Sequence, residues 1–349
     1  MRFDAARAVL QRAIGHKAFP AAVIEVGDSK QPLWSEAFGQ LTFDPAAPPA
    51  AADTLFDLAS LTKVLSTTPL VMRQVERGAL GLDDPVSRDI PRWAAADRAA
   101  VTIRDLLSHA SGLPAHRQLS AGGVRGRAAF EQAICDTPLE YEPGSKSVYS
   151  DLGFILLGFI LDNIAPLPAQ FDALRLQMGG IQDLQFHPPA IWRPRTAATQ
   201  VKAARGGLVV GEVDDDNAQA LGGAAGHAGL FGTAAAVGEC ARHVLQVLDG
   251  RTGVFRRDTL EAFIARRPGV PGSSRALGWD TMLPTSSCGA HMSPRAFGHA
   301  GFTGTSLWID PDRGVYVVLL TNRVHPDASN DAVHAVRRAV HDAVIDGLS

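Results

Sequence analysis

A chain of 349 residues, 46% hydrophobic and 20% charged, is long enough to bury a sizeable core and has an ordinary globular composition. Its formal charge of −3 supplies no basic field, which excludes nucleic acid as the expected partner. Three cysteines, Cys135, Cys240 and Cys288, are too scattered for a disulfide framework or a Cys-x-x-Cys metal site, so buried free thiols are expected.

The first residues carry charges throughout where a secretory signal would have an apolar run, and a cytoplasmic location is the expectation for the chain as given. Residues 4–14 read as an amphipathic helix. Residues 21–27 and 33–39 read as two strands of a hairpin turning at Asp28-Ser29-Lys30. The Pro- and Ala-rich segment 44–52 is a surface loop, and it leads into Phe56-Asp57-Leu58-Ala59-Ser60-Leu61-Thr62-Lys63 and a helix reaching Glu76, with Gly78 and Gly81 beyond it. Short helices and turns fill 83–115. Helices are expected at 130–135 and 152–163, the latter in the longest apolar block, Leu152–Leu161, which is too short to span a bilayer. Residues 166–205 are too irregular to place.

A clear helix returns at 233–248. Strands are expected at 296–299, 306–309 and 315–320, the last two joined by the turn Asp310–Gly314, and a helix at 332–345 closes the chain. Strands thus cluster at both ends and helices in the middle. The fold expected is α+β: one antiparallel sheet built from both chain ends, flanked by the terminal helices, with a mainly helical lobe inserted. Residues 1–349 form a single unit in this reading, with lobes at 1–60 and 225–349 (α/β) and at 61–224 (mainly helical).

Ser60 and Lys63 are three residues apart, on one helical face, so amine and hydroxyl can meet. Lys63 sits in an apolar stretch, where burial would favour a free amine able to take a proton from serine. Downstream, Tyr149-Ser150-Asp151 stands before the apolar helix; Asp151 can cap it and Tyr149 would project from the loop, an arrangement that a plain helix cap also explains. His299-Ala300-Gly301-Phe302 combines a strand with small residues that admit a substrate backbone and amides that can point at an oxyanion, or it is a glycine-rich turn. His109 and His116 read as loop or cap residues, and Asp214–Asn217 as a solvated turn.

In this order, Ser60-Leu61-Thr62-Lys63, Tyr149-Ser150-Asp151 and His299-Ala300-Gly301 resemble the three motifs of the serine β-lactamase and penicillin-binding-protein superfamily. The likeness is greatest to the branch of class C β-lactamases, D,D-carboxypeptidases and family VIII esterases, where tyrosine heads the second motif and His-x-Gly often replaces Lys-Thr-Gly. The segments LLSHASGLP, PGSKSVYSDLGFILLG and AGHAGLFGTA are similar to family sequence too. The resemblance implies Ser60 as nucleophile, Lys63 as its amine partner, Tyr149 as proton shuttle to the leaving group, and the Ser60 and Phe302 amides as oxyanion hole. It implies substrate contacts at Asp151, His299, Gly301 and His227, a small-molecule acyl substrate, and no cofactor or metal.

Two departures bear on substrate. Asp151 stands where the lactamases usually have an asparagine that donates to the substrate's acylamino group, and a carboxylate cannot donate. His299 stands where a lysine often holds a substrate carboxylate, and a neutral imidazole is a poorer anchor. Small esters or amides are therefore expected ahead of β-lactams or peptidoglycan peptides. A non-catalytic binding protein on the same fold has no chemical need to keep serine, lysine and tyrosine together. Neither Gly-x-Ser-x-Gly nor His-Glu-x-x-His occurs, and Asp214–Asn217 lacks the glycine and distal glutamate of a calcium loop.

Overall fold

A computed structural model describes residues 2–270 and 272–348. In chain order it runs through α1 (Asp4–Gly15), β1 (Ala21–Asp28), β2 (Pro32–Gly39), β3 (Phe56–Asp57), a π-helical turn at Lys63–Thr67, α2 (Thr68–Glu76), α3 (Ile103–Leu107), α4 (Gly126–Cys135), α5 (Asp151–Asp162) and α6 (Leu167–Gln177). Then follow β4 (Leu184–Phe186), β5 (Val201–Lys202), β6 (Gly207–Leu208), α7 (Asp216–Ala220), β7 (Leu230–Gly232), α8 (Ala234–Leu248), α9 (Arg257–Ile264), β8 (Asp280–Thr281), β9 (Phe297–Ala300), β10 (Ser306–Asp310), β11 (Val315–Thr321) and α10 (Ala332–Leu348).

The main sheet has the strand order β2-β1-β11-β10-β9-β8, every pair antiparallel, so strands from both ends of the chain meet where β1 pairs with β11. Successive residues of β1 point to opposite faces, yet the strand is buried almost throughout, because helices cover both sides. Ala22, Ile24 and Val26 pack in one core with α1 and α10, whereas Ala21 and Val23 face the larger core that includes α8 and the helical lobe. Glu25 falls on the α8 side. There its Oε1 accepts from Tyr316 Oη at 2.7 Å and Arg242 Nη1 at 3.0 Å, which satisfies a carboxylate that burial would otherwise penalise.

Sequence expectation and structure agree on the sheet, the flanking helices and the inserted helical lobe. Three differences bear on the lobe. The helix after Ser60 opens with the π-helical turn before becoming α-helical. Ser150, not Asp151, holds the N-cap position of α5, with Asp151 in the first turn. The irregular stretch 166–205 contains α6 and β4, and β4 joins β7 and β3 in a small second sheet beside the helical lobe. No single helix among the described residues is long and apolar enough to cross a membrane.

Residues Leu152–Leu161 of α5 are all buried, making this the axis of the lobe. Its Gly158 faces Gly226 so closely that a Cβ on Gly226 would lie 2.1 Å from the Phe154 carbonyl oxygen and 2.8 Å from Gly158 N. The Gly226 carbonyl also accepts from Thr67 Oγ1 at 2.6 Å, so the π-helical turn, α5 and the loop before β7 converge on one glycine. Gly226→Ala is expected to lower unfolding stability by about 1–3 kcal/mol through overpacking against backbone. Urea denaturation measures it, and an unchanged midpoint would count against this close approach.

Candidate active site

The site begins at a strained turn. Asp57, at the end of β3, accepts the Ala59 N–H at 2.8 Å, and Ala59 takes φ +46°, a left-handed conformation that costs a non-glycine residue about 1–3 kcal/mol. The chain is thereby bent so that Ser60 opens a helical turn, its carbonyl accepting from Lys63 N at 3.1 Å. Lys63 is fully buried. Its Nζ lies 2.9 Å from Ser60 Oγ, 2.6 Å from Tyr149 Oη, 2.8 Å from Asp151 Oδ1 and 3.3 Å from the His227 carbonyl, and Tyr149 Oη is 2.8 Å from Ser60 Oγ. Serine, lysine and tyrosine therefore form a closed hydrogen-bonded triangle.

The expectation of a free amine at Lys63 is corrected here. Burial does push its pKa down, but the Asp151 carboxylate and the Tyr149 oxygen outweigh burial, and the net displacement is upward. Reciprocally, burial pushes Asp151 up, while the Lys63 charge and the hydrogen bond from His116 bring it well below the ordinary carboxylate range. Lys63 rests as an ammonium. Tyr149 rests as a phenol, since burial raises its pKa more than Lys63 lowers it.

Asp151 is corrected likewise. Its Oδ1 is on Lys63 and its Oδ2 lies 3.2 Å from His116 Nδ1, so both oxygens are engaged within the site and neither caps α5, while the residue lines the cleft. His116, read from sequence as a loop residue, is half-exposed on the cleft wall, and its bond to Asp151 raises its pKa. His109 is buried behind Tyr149, with ring centroids 4.7 Å apart, and its Nδ1 accepts from Ser150 N at 3.0 Å, which seats the tyrosine loop.

On the opposite wall, His299 is buried with Nδ1 donating to the Ala300 carbonyl at 2.8 Å. Burial, then the nearby Arg275 and Lys63 charges, hold its pKa well below the usual value, so the imidazole is neutral, as its sequence position implies. Gly301 admits no side chain: a Cβ there would lie 2.7 Å from the Leu58 carbonyl oxygen. The Ser60 and Phe302 amides make no hydrogen bond among the described residues, and both stand at the cleft. Arg323 fixes the Phe302 segment, Nε donating to the Phe302 carbonyl at 2.8 Å and the guanidinium stacking 4.6 Å from the ring.

His227 turns its ring to Asp215, 2.9 Å from Oδ1, and its carbonyl to Lys63. The 214–217 run is accordingly no solvated turn. Asp214 is buried, Asp215 caps α7 by accepting from Ala218 N, and Asp216 pairs with Lys202 and Arg205; all three line the cleft. The cleft encloses about 740 Å³, room for a small-molecule substrate. Sequence reasoning missed Arg275, whose guanidinium lies 5.1 Å from the Tyr149 ring centroid. It comes from an irregular stretch after α9, where neither periodicity nor spacing signals a role.

The chain has known relatives. The β-lactamase family profile matches residues 6–341. A Salmonella agona protein provisionally named D-alanyl-D-alanine carboxypeptidase is 32% identical over 320 residues, covering 82% of this chain and 73% of its own length. Among solved structures, "EstCE1, a hydrolase with promiscuous acyltransferase activity" superposes with TM-score 0.78 at 23% identity, covering 99% of this chain and 98% of its own. A penicillin-binding-protein homologue from Caulobacter crescentus does so with TM-score 0.75 at 21% identity, covering 99% and 97%. By profile match and by identity, this chain belongs to the β-lactamase family.

Proposed function

We propose that the protein is a serine hydrolase that forms an acyl-enzyme on Ser60, acting on small esters or amides. The observation that carries this reading is the triangle of Ser60 Oγ, Lys63 Nζ and Tyr149 Oη, with edges of 2.9, 2.6 and 2.8 Å. Such a network lets the serine proton leave as Oγ attacks an acyl carbon. The developing oxyanion would sit between the Ser60 and Phe302 amides. Tyr149 is placed to return a proton to the leaving group, and a water then releases the acyl group by the reverse path.

Since the resting pair is ammonium and phenol, one shared proton must leave before either group can accept the serine's. Turnover should then rise with pH above neutrality. A second reading, β-lactam or peptide substrates bearing a carboxylate, is favoured by Arg275, the cation at the cleft that the sequence did not reveal, and by the carboxypeptidase name of the relatives. The ester reading is favoured by the neutral His299 and by an Asp151 committed to Lys63 and His116.

Three measurements test these statements. Intact-protein mass spectrometry with a serine-reactive phosphonate should show a single adduct that Ser60→Ala abolishes; the same yield in the variant would move the nucleophile elsewhere. Asp151→Asn removes the charge that holds the Lys63 proton, so the ascending limb of kcat/KM against pH should move to lower pH, by about one to three pH units. A limb that stays put would mean that Asp151 does not govern the lysine. Finally, kcat/KM for p-nitrophenyl butyrate should exceed that for a chromogenic cephalosporin. Should the cephalosporin win, and Arg275→Ala cost it about ten- to a hundredfold while sparing the ester, the carboxylate reading replaces the ester one.

A further inference from the structure

Asp57 is buried and takes no part in the chemistry above, yet it touches three of the segments that build the site. Its Oδ1 accepts from Ala59 N at 2.8 Å and its Oδ2 from Asp214 N at 2.6 Å. Its backbone carbonyl accepts from Thr303 Oγ1 at 2.7 Å, and the next carbonyl, of Leu58, accepts from Thr305 Oγ1 at 3.0 Å. One residue thus joins the nucleophile turn, the acidic wall of the cleft and the Gly301–Thr305 segment that carries the Phe302 amide. The left-handed Ala59 immediately before Ser60 is held by the first of these bonds.

The charged groups facing Asp57 come from the 214–216 loop, Asp214 and Asp215, both of its own sign. From β7 it meets backbone and from the Thr303 segment a hydroxyl. Lys202, on β5, lies 3.6 Å from Asp214 Oδ1; neither Lys202 nor Arg323 forms an ion pair with Asp57, which has no cationic partner among the described residues.

Resting on the hydrolase reading, we propose that Asp57 is a positioning residue: its carboxylate clamps the Ala59–Ser60 turn to the acidic wall, and its ionisation sets how well Ser60 meets the oxyanion hole. Two backbone N–H groups need two acceptor oxygens. A protonated carboxyl offers one good acceptor, so protonation frees one of the two amides. Burial raises the Asp57 pKa, the Asp214 and Ala59 N–H groups oppose the rise, Asp214 and Asp215 add to it, and the result is about 7. Below that pH the clamp is loosened and turnover falls; above it both bonds are made. Because this carboxyl is raised above its unfolded value of 3.8, the native state holds the proton more tightly, and fold stability decreases as pH rises from about 4 to about 7. Placement of the serine is gained against stability.

Asp57→Asn keeps the size and one acceptor but turns an NH2 toward the other amide. The wild type should show an inflection in kcat near pH 7, separate from the higher limb governed by Asp151. In Asp57→Asn that inflection should vanish and kcat fall about ten- to a hundredfold, with KM changed less than about threefold. Hydrogen exchange read by mass spectrometry should quicken in peptides covering 57–63 and 211–217 of the variant. Should the variant not fold, exchange of the Ala59 and Asp214 amides in the wild type, corrected for intrinsic rate, should become slower as pH rises through 7. An inflection kept in Asp57→Asn, or protection at those amides indifferent to pH, overturns the proposal. Failure of phosphonate to label wild-type Ser60 would overturn the hydrolase reading instead, and the exchange measurement would still judge the clamp.

Discussion

A buried ammonium is the feature to which the helical lobe is built. Removing a lysine charge from water costs several kcal/mol even after relaxation, and Lys63 is wholly enclosed. The offset comes from Asp151 and three neutral oxygens, delivered by three parts of the chain: Ser60 from the turn after β3, Tyr149 and Asp151 from the segment that opens α5, and the His227 carbonyl from the loop before β7. Asp151 also lies in the first turn of α5, where the helix dipole favours a negative charge. These segments must therefore stay in register. The glycine contact between α5 and Gly226, and the bond from Thr67 to the Gly226 carbonyl, bring the backbones close enough to do so.

The second wall depends on the sheet. β9 and β10 pair antiparallel, with His299 opposite Leu307, which sets the imidazole on this wall and leaves the Gly301–Thr305 segment to fold over the Ala59–Ser60 turn. The Thr303 and Thr305 hydroxyls donate to the backbone carbonyls of Asp57 and Leu58, so the segments that carry the Ser60 and Phe302 amides are spaced by direct side-chain-to-backbone bonds. Arg323 stiffens the same segment from outside. Amides held this way need little rearrangement to meet a charge that develops between them, which is the condition the proposed acyl-transfer reading requires.

What the sequence disclosed follows from periodicity and spacing. Strand alternation and the apolar run of α5 are local, as is the three-residue step from Ser60 to Lys63, and the structure has sheet, helix and contact where these put them. Local signals carry no information on the counter-charge of a buried group. Burial alone argued for a neutral Lys63; the partner that reverses the sign, Asp151, is 88 residues away in the chain. The acidic run 214–217 read as solvated because its cations, Lys202 and Arg205, and its partner His227 come from other segments. Arg275 was invisible for the same reason, and so was the π-helical turn, which the packing around the lysine selects over the α-helix that the apolar steps predict.

The charge inventory of the cleft also accounts for a neutral residue at position 299. Tyr149 lies close to two cations, Lys63 with Nζ 4.8 Å and Arg275 with its guanidinium 5.1 Å from the ring centroid. A cation at that distance favours negative charge on the phenolic oxygen. The His299 ring centroid is 5.7 Å from that of Tyr149, so a third cation there would be repelled by both; burial first, and then this repulsion, keeps the imidazole deprotonated. A neutral histidine at 299 and Arg275 beside the tyrosine are thus one electrostatic arrangement: the positive charge around Tyr149 is carried by Lys63 and Arg275 and not by the sheet strand at 299.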